Sequence, residues 1–567
     1  MMILSTAWNN FKARPDIWFF YGFLATFTLS VRKVLFYYPI AGQFNEWTGI
    51  YLYLSDIFLI LTLLFWFKLI LEHNYDSLSI LFIKNWLKKA YVNSPTHQTS
   101  KHSSNMPKFN ECNNNELFYN KHIFWCAGLP LFLVLWSFAS IFWSENQAVA
   151  LFRSLKLLEM ALLYSYIFYS FSFFSCPQTS GEQKNYTSNS NKMFRVEQDH
   201  GKPVNLYDKC FNKAIFTFGS IFIIGLIQAV IAIFQFIIQH SLGLIWLKES
   251  IISPDISGVA KIEFGGQKLI RAYGLMPHPN ILGGFLVLSI ILSLIIKHYF
   301  KINKTTKNQD GHKSFMWNIL SSNIFMNLSV LVQLIALILT FSKSAILGLV
   351  FSLSYLLFRS RGKQILLFHV KQLFLILFVC LLLALISVYI FNLDFHLFLN
   401  QGISLRKAQI DVSRETMPDK LILGYGMGQY VNQLNIVTRG TLEYWQYQPL
   451  HNVFLLILSE LGFVGLFVFI IFLWKLLRPI VIVPCLPRSK ELFHPSRNVP
   501  RGTFYGAGME QFFCYWGGTI FKVILMAFIF IMLFDHYFWD IQQGQIMLWL
   551  VLGIMAGLGL SRKIEFS

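Results

Sequence analysis

The sequence is short of charge: Asp, Glu, Lys and Arg make up only 13% of its 567 residues, whereas soluble domains carry about 25%. Hydrophobic residues account for 55%, so water is not the solvent for most of the chain and its length does not count soluble domains. Cysteine is scarce where it would matter outside a cell. Cys112, Cys176, Cys210 and Cys485 fall in connections read below as cytoplasmic, and Cys126, Cys380 and Cys514 lie in or beside apolar segments. That leaves no outward pair for a disulfide and no cysteine metal site. Several catalytic patterns are missing too: no Walker lysine motif, no Asp-x-Asp pair to hold a metal and a sugar nucleotide, no His/Cys ligand spacing, and no convincing pair of hydrolase carboxylates.

What is present is a series of apolar segments, and a spanning helix needs about 20 mainly apolar residues. Candidates occupy residues 16–38, 49–71, 122–143, 148–175, 214–240, 280–298, 322–341, 344–358, 372–391, 453–474, 518–535 and 544–560. The first follows Lys12 and Arg14 as a signal peptide would, yet it shows no small-residue cleavage site and apolar character resumes from Val34 to Ile40. An uncleaved helix is expected. With both termini inside, 31 of the 47 Lys and Arg residues fall in inner connections and 14 in outer ones, and cytoplasmic loops hold such an excess. The net charge of +19 follows topology instead of clustering on one face, which argues against a nucleic-acid partner. The expected fold class is all-α: a polytopic membrane bundle of about twelve helices with cytoplasmic termini and short interfacial helices in the outward loops.

The inner linkers 92–121 and 176–211 are rich in Asn, Ser, Thr and Lys and read as flexible spacers. Asn185-Tyr186-Thr187 and Asn303-Lys304-Thr305 fall on the inner side, where they are chance matches to a glycosylation acceptor. Two outward loops, 241–279 and 392–451, mix charges, glycines and apolar residues, as functional loops do. In the second, Ser404–Thr416 reads as a short interfacial helix capped by Ser404, with Pro418 beyond its end. The chain divides into N-terminal helices (1–209), a central region (210–475) and C-terminal helices (476–567).

Three short stretches carry candidate chemistry. Arg271-Ala272-Tyr273-Gly274 leads through Pro277-His278-Pro279 to Asn280, where Pro277 and Pro279 keep His278 out of helical geometry and Asn280 caps a helix beginning at Ile281. The stretch reads either as a capped helix with a snorkelling arginine or as an anion site, with Arg271 adding a fork suited to phosphate at a helix N-terminus. Lys343, in Thr340-Phe341-Ser342-Lys343, is the one charge in about forty residues of lipid-compatible sequence, so it reaches either the interface or a polar cavity. His451 and Asn452 open a third apolar helix. Asn452 reads as its cap, and an imidazole of ordinary pKa about 6.5 suits proton transfer. The glycines Gly424, Gly426 and Gly428 imitate a nucleotide-binding loop, but no strand leads into them. An outward-facing enzyme without ATP or nucleotide sugars needs a donor already activated, and lipid-linked diphosphate sugars are the activated donors a membrane offers.

In this order, Arg271-x-x-Gly274 with His278-Pro279-Asn280, then Thr340-Phe341-Ser342-Lys343-Ser344-Ala345, then Gly424-x-Gly426-x-Gly428-x-Tyr430, then Leu450-His451-Asn452 with Ser459-Glu460-Leu461-Gly462, the chain resembles the O-antigen ligase and polymerase superfamily. The resemblance spans roughly residues 210–475. It implies a membrane glycosyltransferase of C-type plan in the bacterial cytoplasmic membrane, with its site facing outward. The donor would be a glycan on undecaprenyl diphosphate, transferred with inversion and without metal or other cofactor. By the same resemblance Arg271 and Lys343 bind the diphosphate and His451 orients or deprotonates the acceptor. His278, Asn280, Asn452, Gly424 and Gly426 contribute to substrate binding. Members commonly carry arginine where this chain has Lys343; lysine keeps the charge but loses the fork, so Arg406 or Arg414 would share the clamping.

The acceptor is left open among a surface lipid (ligase), a growing glycan (polymerase) and a protein hydroxyl (oligosaccharyltransferase). A transporter or flippase of lipid-linked glycans would also place cations among helices, but such proteins show internal repeats and helices interrupted near the bilayer midplane. The only echo is the shared opening of two helices, Asn280-Ile281 and Asn452-Val453, too short to be a repeat.

Overall fold

The structure, a computed structural model, describes residues 8, 11–72, 125–172, 206–264, 266–306, 322–359, 370–371, 374–375, 377–378, 406–407, 409–411, 413, 420–443, 446–478 and 518–564. Arg414, linker 92–121 and most of linker 176–211 and of the expected span 372–391 lie outside the described residues. Residues 206–211 open a helix, and 374–375 and 377–378 are helical. So are 406–407, 409–411 and 413, within the expected interfacial helix.

The described chain is mostly helical. In order come α1 (Pro15–Thr26), strands β1 (Arg32–Tyr37) and β2 (Gly49–Tyr53), and α2 (Leu54–Glu72). Next are α3 (Trp125–Trp143), α4 (Gln147–Ser172), α5 (Leu206–Ile238), β3 (Lys261–Phe264) and β4 (Gln267–Ile270). They are followed by α6 (Pro279–Thr306), α7 (Asn323–Leu339), α8 (Lys343–Arg359), α9 (Tyr430–Val437) and α10 (Val453–Leu477). The last are α11 (Gly518–Met532), α12 (Tyr537–Asp540) and α13 (Gln542–Ile564). α2, α3 and the apolar parts of α5, α6 and α10 are long and apolar enough to cross a membrane, and α7, α8, α11 and α13 contain shorter apolar runs.

Burial separates the centre of the bundle from its rim. In α6, 94% of the apolar window is buried, against 33–44% for the other four long spans, so α6 is the axis and the others keep one side for lipid. It packs against α5, α7, α8, α11 and α13. Apolar helices gain little from a hydrophobic effect in lipid and are joined by close packing instead. Thus a Cβ on Gly553 or Gly557 of α13 would run into Ile167 or Phe171 of α4, and the two backbones touch there.

Two expected spans, 16–38 and 49–71, are shorter than the reading above. The helix from residue 16 ends at Thr26, and residues 32–37 and 49–53 form an antiparallel hairpin pairing Arg32 with Tyr53 and Lys33 with Leu52. Its aromatic and β-branched residues suit a pleated surface, and the alternating burial of β2 puts Tyr51 and Tyr53 inside and Leu52 outside. A second hairpin, β3 with β4, lies within residues 241–279 and delivers the chain to Arg271.

α10, which reads as one continuous helix, is broken at Gly462, where φ is +68°. A break in a membrane helix frees backbone groups that need partners. The carbonyls of Ser459, Glu460 and Leu461 accept hydrogen bonds from Tyr425 N–H, Gly426 N–H and the Trp136 indole, and Phe463 N–H donates to the carbonyl of Leu421. The loop 421–428 therefore plugs the break.

Candidate functional site

The segment 271–280 is held from below by polar side chains of a membrane helix. Gln235 of α5 accepts from Gly274 N–H and donates to its carbonyl, and Gln228 accepts from Leu275 N–H. Pinned this way, the segment turns Arg271 toward the α7–α8 turn. Arg271 Nε donates to the carbonyl of Thr340 at 2.6 Å, and Ala272 N–H donates to the carbonyl of Leu339 at 3.0 Å. Two stretches far apart in sequence are thereby locked together, with Lys343 opening α8 just beyond the turn.

α6 starts one residue earlier than expected, at Pro279, and Asn280 does not cap it. His278 does: its Nδ1 accepts from Asn280 N–H at 3.2 Å. The Asn280 side chain is a bridge instead. Its Oδ1 accepts from Arg271 Nη2 at 2.5 Å, and its Nδ2 donates to Asp535 Oδ2 at 2.6 Å. Asn452 behaves as its position suggests, capping α10 by accepting from Leu455 N–H at 3.0 Å while its Nδ2 holds the carbonyl of Leu533.

Above α6 lies a cavity of about 440 Å³, a size suited to small-molecule head groups, of about 300–1,000 Å³. His278, Asn280 and His451 line it together with Asp535, His536 and Asp540. Its other wall is Arg32, Tyr51 and Tyr53 of the first hairpin, Glu46 and Trp47 of the intervening turn, and Arg153 and Lys156 of α4. Arg153 is already engaged, donating to the carbonyls of Asp540 at 2.7 Å and Trp47 at 2.9 Å. Lys156 pairs with Glu159 at 2.9 Å and, at 2.5 Å, with Asp56.

Three of the cations named from sequence, Arg271, Lys343 and Arg406, come together near this cavity. Arg406 is close enough to Arg271, Lys343 and His451 to act on each electrostatically. Burial pulls the Arg271 guanidinium down to about 10, opposed by Tyr273 and Asp535 and reinforced by Arg406. It stays charged at neutral pH.

His451 differs from its sequence reading. Burial, helped by His536, Arg406 and His278 against Asp535, takes it down to about 3, so it is neutral at pH 7. Its tautomer follows from its neighbour. Gln409 Nε2 donates to the carbonyl of Gln448 at 3.5 Å, which turns Oε1 toward His451 Nδ1 at 3.0 Å. Nδ1 therefore carries the proton and Nε2 a lone pair. His278 is likewise lowered to about 3, by burial first and then Arg271 and His536.

Gly424 and Gly426 do not line the cavity. A Cβ on Gly424 would meet the backbone of Glu460, and one on Gly426 would meet Ser144, so both serve the joint at the break in α10. Their positive φ values, +74° and +109°, fit that packing task.

The sequence reading missed Asp535, His536 and Asp540, along with Arg32, Arg153 and Lys156. The signal was available: Asp535-His536 and Asp540 stand in a short connection between two apolar segments, and Arg153 and Lys156 interrupt another.

Residues 328–470 match the family model described as O-antigen ligase. The matched stretch holds Lys343, Arg406, the glycine loop and His451, and stops short of Arg271 on one side and His536 on the other. No curated protein matches the chain.

Proposed function

We propose, from the match of residues 328–470 to the O-antigen ligase family model, that this membrane protein transfers a glycan from undecaprenyl diphosphate to an acceptor hydroxyl on the outer side of the cytoplasmic membrane. The observation that carries this reading is the meeting of Arg271, Lys343 and Arg406 beside a neutral histidine that presents a lone pair. In the transfer, the acceptor oxygen bonds to the anomeric carbon as the bond from that carbon to the diphosphate oxygen breaks. The electron pair leaves with the diphosphate, whose growing charge the three cations balance in a partly dry site. A diphosphate leaves without being protonated, so no carboxylic acid is required opposite a single base, and the reaction proceeds with inversion and without metal.

His451 supports the acceptor side, orienting the hydroxyl or taking its proton through Nε2. An anion bound by Arg406 cancels part of the field that holds His451 down, so donor binding raises its proton affinity. Transport, the rival use of such a cation cluster, favours interrupted helices. The break in α10 is instead filled by the chain's own loop.

The test is reconstitution with a defined lipid-diphosphate glycan and candidate acceptors (lipid, glycan and protein), with the product identified by mass. A glycosylated acceptor and released lipid diphosphate are expected. Movement of intact donor between leaflets without transfer to any acceptor would replace this reading with transport.

A further inference from the structure

His536 is a third imidazole in the same cavity, and it is built in more firmly than His451. Its Nδ1 lies 2.9 Å from both carboxylate oxygens of Asp540, one helical turn on. A carboxylate only accepts, so Nδ1 is the protonated nitrogen and Nε2 is left for the cavity that the ring lines. The Asp540 carbonyl is gripped by Arg153, whose other arm holds Trp47, and the Trp47 ring packs edge-on against His536 at 5.1 Å. The His536 backbone N–H donates to Asp535 Oδ1 at 2.9 Å, and Asp535 connects through Asn280 to Arg271. The ring stands perpendicular to that of His451, 4.9 Å away.

The two imidazoles differ in what supports them. His451 leans on the neutral amide of Gln409, whereas His536 leans on a carboxylate, which stabilises an imidazolium as an amide does not. We infer that His536, held by Asp540, is the group that accepts the proton of the acceptor hydroxyl, and that His451 orients the acceptor oxygen. The inference rests on the transfer reading above. The proton passes from the hydroxyl to His536 Nε2 as the oxygen bonds to the anomeric carbon, and returns to water once lipid diphosphate has left. Asp540 keeps its negative charge and acts as a positioning residue.

The groups facing His536 are Asp540 and Asp535 on its own segment, Glu46 from the turn after β1, His451 at the start of α10 and His278 before α6. Burial pulls its pKa down, but the charge and hydrogen bond of Asp540, with Asp535 and Glu46, outweigh burial and leave it above the ordinary histidine value. The rate of transfer should therefore rise with pH through an acidic limb set by His536.

The experiment measures kcat against pH for the reconstituted full-length enzyme with a lipid-diphosphate glycan, beside donor affinity. Asp540→Asn keeps a partner for Nδ1 but removes the charge; the acidic limb is expected to move down by about one pH unit, with the plateau lowered about 10-fold. His536→Gln should lose at least about 100-fold in kcat with donor Kd within about threefold of wild type. His451→Gln should lower kcat and leave the limb where it was. If the limb ignores Asp540→Asn and vanishes with His451→Gln, or if His536→Gln turns over normally, His536 is not the proton acceptor. Loss of donor binding in both His536→Gln and Asp540→Asn would make the pair structural and overturn the inference equally. Failure of the wild-type enzyme to transfer at all would instead sink the glycosyltransferase reading.

Discussion

The cations and the imidazoles of the site meet at one place but are treated in opposite ways by the protein around them. Arg271 is half-buried, stays charged, and has Arg406 pressing on it, with Asp535 joined to it through Asn280. His278 and His451 are half-buried as well and give up their charge. An arginine stays protonated at any working pH whereas a histidine yields unless a carboxylate holds it, so the same desolvation produces an anion receptor on one side and, at His278 and His451, uncharged imidazoles on the other, with His536 kept apart by Asp540. The contrast separates donor binding from acceptor activation, and mutations should separate them as well.

The sharpest break comes from His451→Ala, expected to lower transfer by about 10²–10⁴-fold while donor affinity is retained, as single-turnover rates and binding would show. Wild-type turnover in that variant would remove His451 from the acceptor side. Arg271→Ala should cost about 10²–10³-fold in kcat/KM and weaken donor binding itself. Lys343→Arg is expected to match or exceed the wild type, because it restores a fork; inactivity would show that Lys343 is not a phosphate ligand.

These residues also show what a sequence reveals and what it hides. Lys343 and His451 were legible as polar residues at the start of an apolar helix, and Arg271 as a cation in the short stretch that leads into one. Their joining was not legible, since it depends on Arg271 reaching the carbonyl of Thr340 and on Gln228 and Gln235 holding the loop. The orientation of Asn280 was hidden for the same reason: its cap position was taken by His278, and its amide spans two charged groups. The spans were legible from length and hydropathy, but the hairpin of residues 32–53 reads as apolar helix until its pairing is seen. The glycines at 424 and 426 look like substrate residues until the break at Gly462 supplies their partner.

That joint can be tested without touching the site. Gly462→Ala places a Cβ against the carbonyl of Ile422 at a backbone angle that L side chains avoid. It should destabilise the protein by about 1–3 kcal/mol, read as a lower melting temperature in detergent. An unchanged melting temperature would mean that the break is not held by this contact.

A further effect concerns pH. His278 and His451 sit at about 3 when folded, below the ordinary value of about 6.5, so between these pH values the unfolded chain binds more protons than the folded one. Stability therefore rises with pH across that window and falls on acidification. His536 works the other way, adding stability at low pH that is lost as pH rises through its raised value. The double variant His278→Gln with His451→Gln should flatten the fall in melting temperature between pH 6.5 and about 4; a slope as steep as wild type would mean that other groups dominate it.

The division between anion receptor and acceptor side is tested most directly by donor affinity, measured with a lipid diphosphate for Arg271→Ala and His451→Ala side by side. Binding lost in the first and kept in the second is the expected result. Equal loss in both, or loss only in His451→Ala, would contradict the separation of charge described here.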